Sequence, residues 1–529
     1  MFDIVLKNGK IVDGTGAPAY QADVGVEGDR IKAIGDLSGA DAEEKIDVAG
    51  LCVTPGFIDI HTHSDAVLFA DGRADSQVCQ GVTSEVIGQC GFSFAPVTDA
   101  KRMEAWMPGR LPGINVTWET FDGYLEHLAT CDLGVNVLGM LGHGTVHGAV
   151  LGDEMRPSTN DDREKMVRYV EQAMEEGAWG LSTGLEYWPG IGATPPELAE
   201  LCSPVAKYDR LHASHVRNRD IYYDLGFGEV MAIGRVTGVR TQISHIQPKY
   251  GRPAHAMKHT IDMIEHFREI GVDVACDIIP HEWSHTSLVA VLPSWARDGG
   301  VQALLSRLKD PVIRERMKVN PGQMWRLVTD EKWDRIILYH VHKNRDLIGM
   351  TVEEIGKRRK KDPFDAIMDV LVEEGEDMLQ AHWTSLNFFE DDLRMILQRP
   401  YCGVMSDTFA LTPGGPTGDI IGSLAGYGWA ARFLEHYVRD AGLLSLEEGI
   451  RRLTLLPASR VGLKDRGTLR AGAYADITVF DLDQVAFKCT VEEPRVHPDG
   501  IVHVMANGEF GFRGGRRTNV CAGKVLRAD

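Results

Sequence analysis

The stretch Pro55-Gly56-Phe57-Ile58-Asp59-Ile60-His61-Thr62-His63-Ser64-Asp65 decides how the rest of the chain is read. Its apolar run predicts a buried β-strand over 57–60 that ends by presenting two histidines. Residues i and i+2 of a strand point to the same side, so His61 and His63 share one face of a rigid strand end and can hold one metal ion. An isolated His-x-His is more often one core histidine beside one solvated one. The weight here comes from other ligand-type residues that recur along the chain.

Beyond Asp65, short apolar segments alternate with amphipathic helices. Strands are predicted over 134–141, 180–182, 211–214 and 240–244, and helices over 161–176, 194–208 and around 229–237. The alternation persists for roughly 350 residues, which calls for parallel strands and most economically for an α/β fold of the (β/α)8 TIM-barrel type. A doubly wound sheet would need a glycine-rich phosphate loop after an early strand, and none is present. The two ends of the chain read differently. Runs such as Ile4-Val5-Leu6, Val24-Gly25-Val26 and Ile477-Thr478-Val479-Phe480 are short, turn-bounded strands. Neither end alone has enough strands to bury a core. Residues 1–54 and 460–529 are therefore expected to form one small β-sandwich domain, with the barrel over 55–459. Residues 288–345 break the alternation and read as an insertion, either a lid beside the active-site mouth or an enlarged loop with no part in substrate binding.

Composition narrows the function. The chain has 529 residues, 43% hydrophobic and 25% charged, with a formal net charge of -20. That charge disfavours nucleic acid, whose phosphates need a basic face. The amino terminus lacks the basic and long apolar regions of a signal peptide, and no apolar run reaches the length of a membrane span. The nine cysteines are scattered without a Cys-x-x-Cys pair and read as reduced thiols. A cytoplasmic enzyme acting on a small molecule is the expectation.

In a barrel of this type the chemistry gathers where strands end. Cys90 follows a predicted strand at 83–87, His215 follows 211–214, His245 follows 241–244, and Asp407 follows 402–405. Singly, each has an ordinary explanation: a small buried hydrophobe, a hydrogen-bonded core histidine, a helix cap. Together with His61 and His63 they form a metal-ligand set at successive strand ends. Imidazole with thiolate favours zinc over magnesium or calcium.

At these motifs the chain resembles the D-aminoacylase (N-acyl-D-amino-acid deacylase) family of the amidohydrolase superfamily. The resemblance is carried by 55–63, by Gly81-Val-Thr-Ser-Glu-Val-Ile-Gly-Gln-Cys90-Gly91, by Gly177-Ala-Trp-Gly-Leu-Ser-Thr-Gly-Leu-Glu186-Tyr187-Trp188-Pro189-Gly190, by Ile243-Ser244-His245, and by the C-terminal segments 456–467, 475–481 and 504–508. It covers nearly the whole chain. It implies zinc held tightly by Cys90, His215 and His245, and a second, weaker metal position near His61, His63 and Asp407. Many superfamily members bridge two metals with a carboxylated lysine. Lys165 and Lys207 lie in helical stretches, so Cys90 is the expected substitute. The resemblance further implies hydrolysis of a linear C–N amide bond by metal-bound hydroxide, with Asp407 as the general base. His143 is a candidate oxyanion donor, though a turn histidine fits it better. Oligomeric state stays open between monomer and homo-oligomer.

The substrate pocket departs from the family pattern. The family's carboxylate-binding lysine position is Gln247, with Lys249 displaced by two residues, and its arginine position is Ala425, with Arg432 the next arginine. His281 and His285 stand where the family has a tyrosine and a serine. Gln247, Lys249, His281 and His285 are therefore the expected substrate-contacting residues. Losing the cations removes charge-assisted hydrogen bonds to a carboxylate. An amide lacking the usual α-carboxylate, or carrying it elsewhere, is expected, with Trp188, Trp283, Trp383 and Phe409 as candidate apolar walls. The alternatives are a true N-acyl-D-amino-acid deacylase, a cyclic amide or imide hydrolase, and a non-catalytic scaffold, which would have eroded ligands.

Overall fold

The computed structural model describes residues 1–105, 111, 114–154, 156–319 and 325–529. The barrel wall begins with Phe57–Asp59, Val82–Ile87 and Asn136–Gly139, which pair in parallel. Leu141–Gly142 continues the last of these and pairs with Gly180–Gly184, followed in parallel by Leu211–His215, Arg240–Ile243, Val274–Ile278 and Cys402–Val404. The circle closes just past the strand ends. A parallel bridge joins Thr62 to Thr408, and the Asp407 amide donates to the His61 carbonyl at 3.1 Å. The α/β barrel is thus the observed architecture.

Local chemistry explains the helices around it. Asn160–Glu175 starts at Thr159 in a reciprocal capping box with Asp162, and turns Met166, Val170, Ala173 and Met174 inward. Pro195–Lys207 begins with Thr194 as N-cap and proline in its first turn. The apolar faces meet the strands in one large core containing Val86, Leu181, Val205, Ile243 and Val274.

Both chain ends supply strands to one branched nine-stranded sheet. Phe2–Ile11 is the branch point: it pairs with Tyr20–Glu27 on one edge and with Ala42–Asp47 and Cys52–Pro55 on the other. Cys52–Pro55 in turn pairs with Ile477–Phe480. A separate core, including Leu6, Val24, Val53, Val479 and Met505, lies within this small β domain.

The last residues do not stay with that domain, unlike the expectation for 460–529. Val525–Leu526 pairs in parallel with Val137 and Leu138, in the place beside Asn136–Gly139 that the next barrel strand reaches only at Leu141–Gly142. Gly523 donates to Leu133 at 2.8 Å, Val137 to Lys524 at 2.9 Å and Ala528 to Gly177 at 3.0 Å, while the Trp179 indole donates to Leu526 at 2.6 Å. Each such bond contributes about 1 kcal/mol. Deleting residues 523–529 is expected to lower Tm by on the order of 5 °C; an unchanged melting curve would show that the tail does not support the wall.

The insertion is also wider than 288–345. Trp283–Ser287, His382–Leu386 and Ile337–His340 form an antiparallel sheet with His382–Leu386 in the middle. Helices Gly300–Lys309, Pro311–Val319, Val352–Arg359 and Pro363–Glu374 pack with it around a core that includes Leu304, Ile355, Phe364, Ile367 and Trp383. The segment after 345 carries the same helical periodicity as barrel helices, which hid its membership in this unit. Among the described residues no helix is long and apolar enough to cross a membrane.

Candidate metal centre

Cys90 sits at the centre of the predicted ligand set. Its sulfur lies 3.3 Å from His61 Nε2, 3.5 Å from His215 Nδ1 and 3.4 Å from His245 Nε2. Asp407 Oδ1 is 3.1 Å from His63 Nε2 and 3.4 Å from His61 Nε2. Two groups result, Cys90 with His215 and His245, and Cys90 with His61, His63 and Asp407, and within each the ligand atoms lie within 4.8 Å of one another. Cys90 belongs to both.

These distances suit zinc. Tetrahedral zinc with bonds of about 2.3 Å to sulfur and about 2.0 Å to nitrogen places the two ligand atoms about 3.5 Å apart. Burial pushes His61 down to about 3 and His215 to about 4, and holds His245 well below its ordinary value. The imidazoles are therefore neutral at pH 7, the form that ligates a metal. Burial also raises the Cys90 thiol well above its ordinary value. Only a nearby cation would draw out its thiolate.

The backbone that presents these groups is strained. Cys90, His245 and Asp407 have φ of 51°, 36° and 53°, in the left-handed region that non-glycine residues avoid. Neighbouring strands hold each in place. Ser182 Oγ accepts from the Gly91 amide at 3.0 Å and donates to the Gly88 carbonyl at 2.6 Å, which ties down the Cys90 loop. A Cβ at Gly184 would stand 1.9 Å from the Cys90 carbonyl oxygen, so this approach requires glycine. Asp277 Oδ1 accepts from the His245 amide at 2.6 Å, and Arg219 Nη1 donates to the His245 carbonyl at 2.5 Å. Asp59 Oδ1 accepts from the amides of His61 and Ser406, joining the first and last barrel strands beneath Asp407.

Glu186, which sequence reasoning passed over, completes the surroundings. Glu186 Oε2 is 2.8 Å from His215 Nε2, and Glu186 Oε1 accepts from Lys249 Nζ at 2.5 Å. Burial raises the Glu186 carboxyl, but Lys249 and His215 outweigh it and hold it at about 2. The ionised Glu186 fixes the His215 tautomer with Nδ1 free toward Cys90. Glu186 lies inside the quoted motif 177–190, and its buried position between glycines was the only available signal.

The predicted substrate residues divide. His285 lines the cavity beside the metal centre, together with His63, Cys90, Asp407, Trp188 and Phe409. Gln247 does not line it, because its amide nitrogen donates to the Ile279 carbonyl at 2.8 Å. Lys249 is turned to Glu186 and the Trp325 ring. His281 accepts from the Trp283 amide at 3.2 Å and lies outside the cavity lining. Trp383 is a core residue, fully buried against Trp325. His143 is buried and held 2.9 Å from Glu197, away from the cavity.

Comparison with known proteins identifies the family. A sequence profile of the amidohydrolase family matches residues 44–512. The D-aminoacylase of Alcaligenes xylosoxydans xylosoxydans is 32% identical over 533 residues, covering 99% of this chain and 97% of its own. The N-acyl-D-glutamate deacylase of Bordetella bronchiseptica, solved with zinc and a phosphonate inhibitor that mimics the tetrahedral intermediate, matches with a TM-score of 0.83 and 31% identity over 100% of both chains. A D-aminoacylase structure concerned with the role of its binuclear metal centre gives a TM-score of 0.82 at 31% identity, again over 100% of both chains. The chain belongs to the amidohydrolase family, in its D-aminoacylase branch, and is a metal-dependent hydrolase of C–N amide bonds.

Proposed function

We propose that this chain hydrolyses a linear N-acyl amide at a zinc centre held by Cys90, His215 and His245, on a substrate without an α-carboxylate in the family's usual place. The observation that carries the reading is the Cys90 sulfur within 3.3–3.5 Å of imidazole nitrogens from His61, His215 and His245, with Asp407 beside them on the cavity wall. His61, His63 and Asp407 would hold a second, weaker metal with Cys90. Zinc, when bound, supplies Lewis acidity that polarises a carbonyl and lowers the pKa of water to about 7.

The chain's own groups do the rest. Asp407 is the general base: its carboxylate takes a proton from the attacking water and returns it to the leaving amine. Burial raises this carboxyl, but His245, His63 and His61 outweigh burial and hold it well below the usual carboxylate range. It is therefore ionised and ready to accept at neutral pH. His63 fixes Oδ1 by its hydrogen bond at 3.1 Å. Glu186 and Lys249 orient His215 from behind. Trp188, Tyr187, Phe92 and Phe409 form part of a cavity of about 750 Å³, large enough for a medium-sized amide.

The altered pocket is supported by Gln247 facing Ile279 and by the buried Ala425, which leave no cation at either family position. A kinetic comparison tests it. N-acetyl-D-methionine is expected to have kcat/KM no higher than an N-acetyl alkylamine of matched length. D-methionine derivatives turned over more than about tenfold faster, the worth of one charge-assisted contact, would restore an ordinary α-carboxylate site.

A further inference from the structure

Arg297 closes the short turn Ser294–Arg297 of the inserted segment and lines the cavity of the metal centre. It is only 8% exposed, and its Nε and Nη2 are buried without a hydrogen-bond partner. Among the described residues no carboxylate forms an ion pair with it. Burial pushes its pKa down to about 10, opposed only by the Tyr187 phenol. Tyr187 ties this spot to the chemistry, since its ring centroid lies 4.5 Å from that of His215. The other cations on the cavity wall, Lys101 and Arg102, share it with Asp99, Asp153 and Glu376. Arg297 has no such acid.

A buried guanidinium without a carboxylate partner disfavours the empty state, because no counter-charge offsets its lost hydration. Such a group persists where a ligand supplies the missing anion. We propose that Arg297 is the carboxylate grip of this enzyme, receiving a carboxylate that the substrate carries at its far end rather than on the α-carbon of the leaving amine. A charge-assisted hydrogen bond from the guanidinium to the carboxylate is the strong kind, and it supplies the affinity. One unpaired positive charge matches a monoanionic carboxylate better than a dianionic phosphate. This assignment rests on the amide-hydrolase reading of the centre and names the class of substrate for it. Arg297 becomes a specificity-determining residue, supplied by the insertion instead of by the barrel.

The test uses the full-length zinc-loaded protein and matched amide pairs. N-acetyl-5-aminopentanoate is compared with N-acetylpentylamine, and N-glutarylbutylamine with N-pentanoylbutylamine, so that the carboxylate is placed on the amine side or on the acyl side. One of the two acids is expected to exceed its neutral partner in kcat/KM by at least about tenfold. Arg297→Met should bring that ratio to about one, and Arg297→Lys should keep part of it. A second readout needs no turnover. Glutarate should raise the melting temperature of the wild type and leave that of Arg297→Met unmoved, and ligand-free Arg297→Met should melt above the wild type because it no longer buries an unpaired charge. A preference that survives in Arg297→Met, or no preference in the wild type, overturns the assignment; so does a ligand-free variant that melts lower. If the wild type cleaves no linear amide but glutarate still stabilises it through Arg297, the hydrolase reading fails while the carboxylate site stands.

Discussion

Replacing Cys90 by alanine is expected to remove stoichiometric zinc and to lower kcat/KM by at least about a thousandfold. Cys90 is the side chain common to both ligand groups, so its loss leaves each short of a donor. What remains of the first group is His215 and His245, too few to retain zinc against dilution. The size follows from the chemistry at stake. A Lewis acid contributes several kcal/mol to the transition state, and about 4 kcal/mol is about a thousandfold in rate. Metal analysis alongside kinetics checks both halves. A Cys90→Ala protein that kept one equivalent of zinc and ordinary activity would remove sulfur from the centre.

The second large effect belongs to Asp407. Asp407→Asn keeps the size and a carbonyl oxygen for His63 but removes the base, and kcat is expected to fall by about a hundredfold to ten-thousandfold. Zinc held by Cys90, His215 and His245 should stay bound. The carboxylate's depressed pKa gives the sign of the pH effect. Activity of the wild type should be maintained above the Asp407 pKa and fall only as pH drops through it, whereas the asparagine variant should lack that acid limb. Loss of zinc together with activity would instead make Asp407 an essential ligand of the tightly held ion.

The clustering of the candidate ligands was legible because strand geometry fixes where residues after an apolar run must point. His61, Cys90, His215, His245 and Asp407 come from sequence positions far apart, yet each follows a strand that ends at the same rim. The pocket was less legible. Position in a motif places Gln247 and His281 near the rim, but their side-chain directions are set by local partners, the Ile279 carbonyl and the Trp283 amide. Glu186 acts through His215 on the adjoining strand, a pairing that spacing alone does not reveal. Arg297 carried no motif at all: its meaning lies in the lack of an acid paired with it among the described residues, which only a packed structure displays. The same holds for the inserted unit, whose helices beyond 345 differ from barrel helices in the core they join and not in their periodicity.

X-ray absorption at the zinc edge of the purified protein tests the metal-centre account most directly. The account requires close to one equivalent of zinc with a sulfur neighbour at about 2.3 Å and nitrogen neighbours at about 2.0 Å. Zinc bound with nitrogen and oxygen alone, or protein active without zinc, would contradict it.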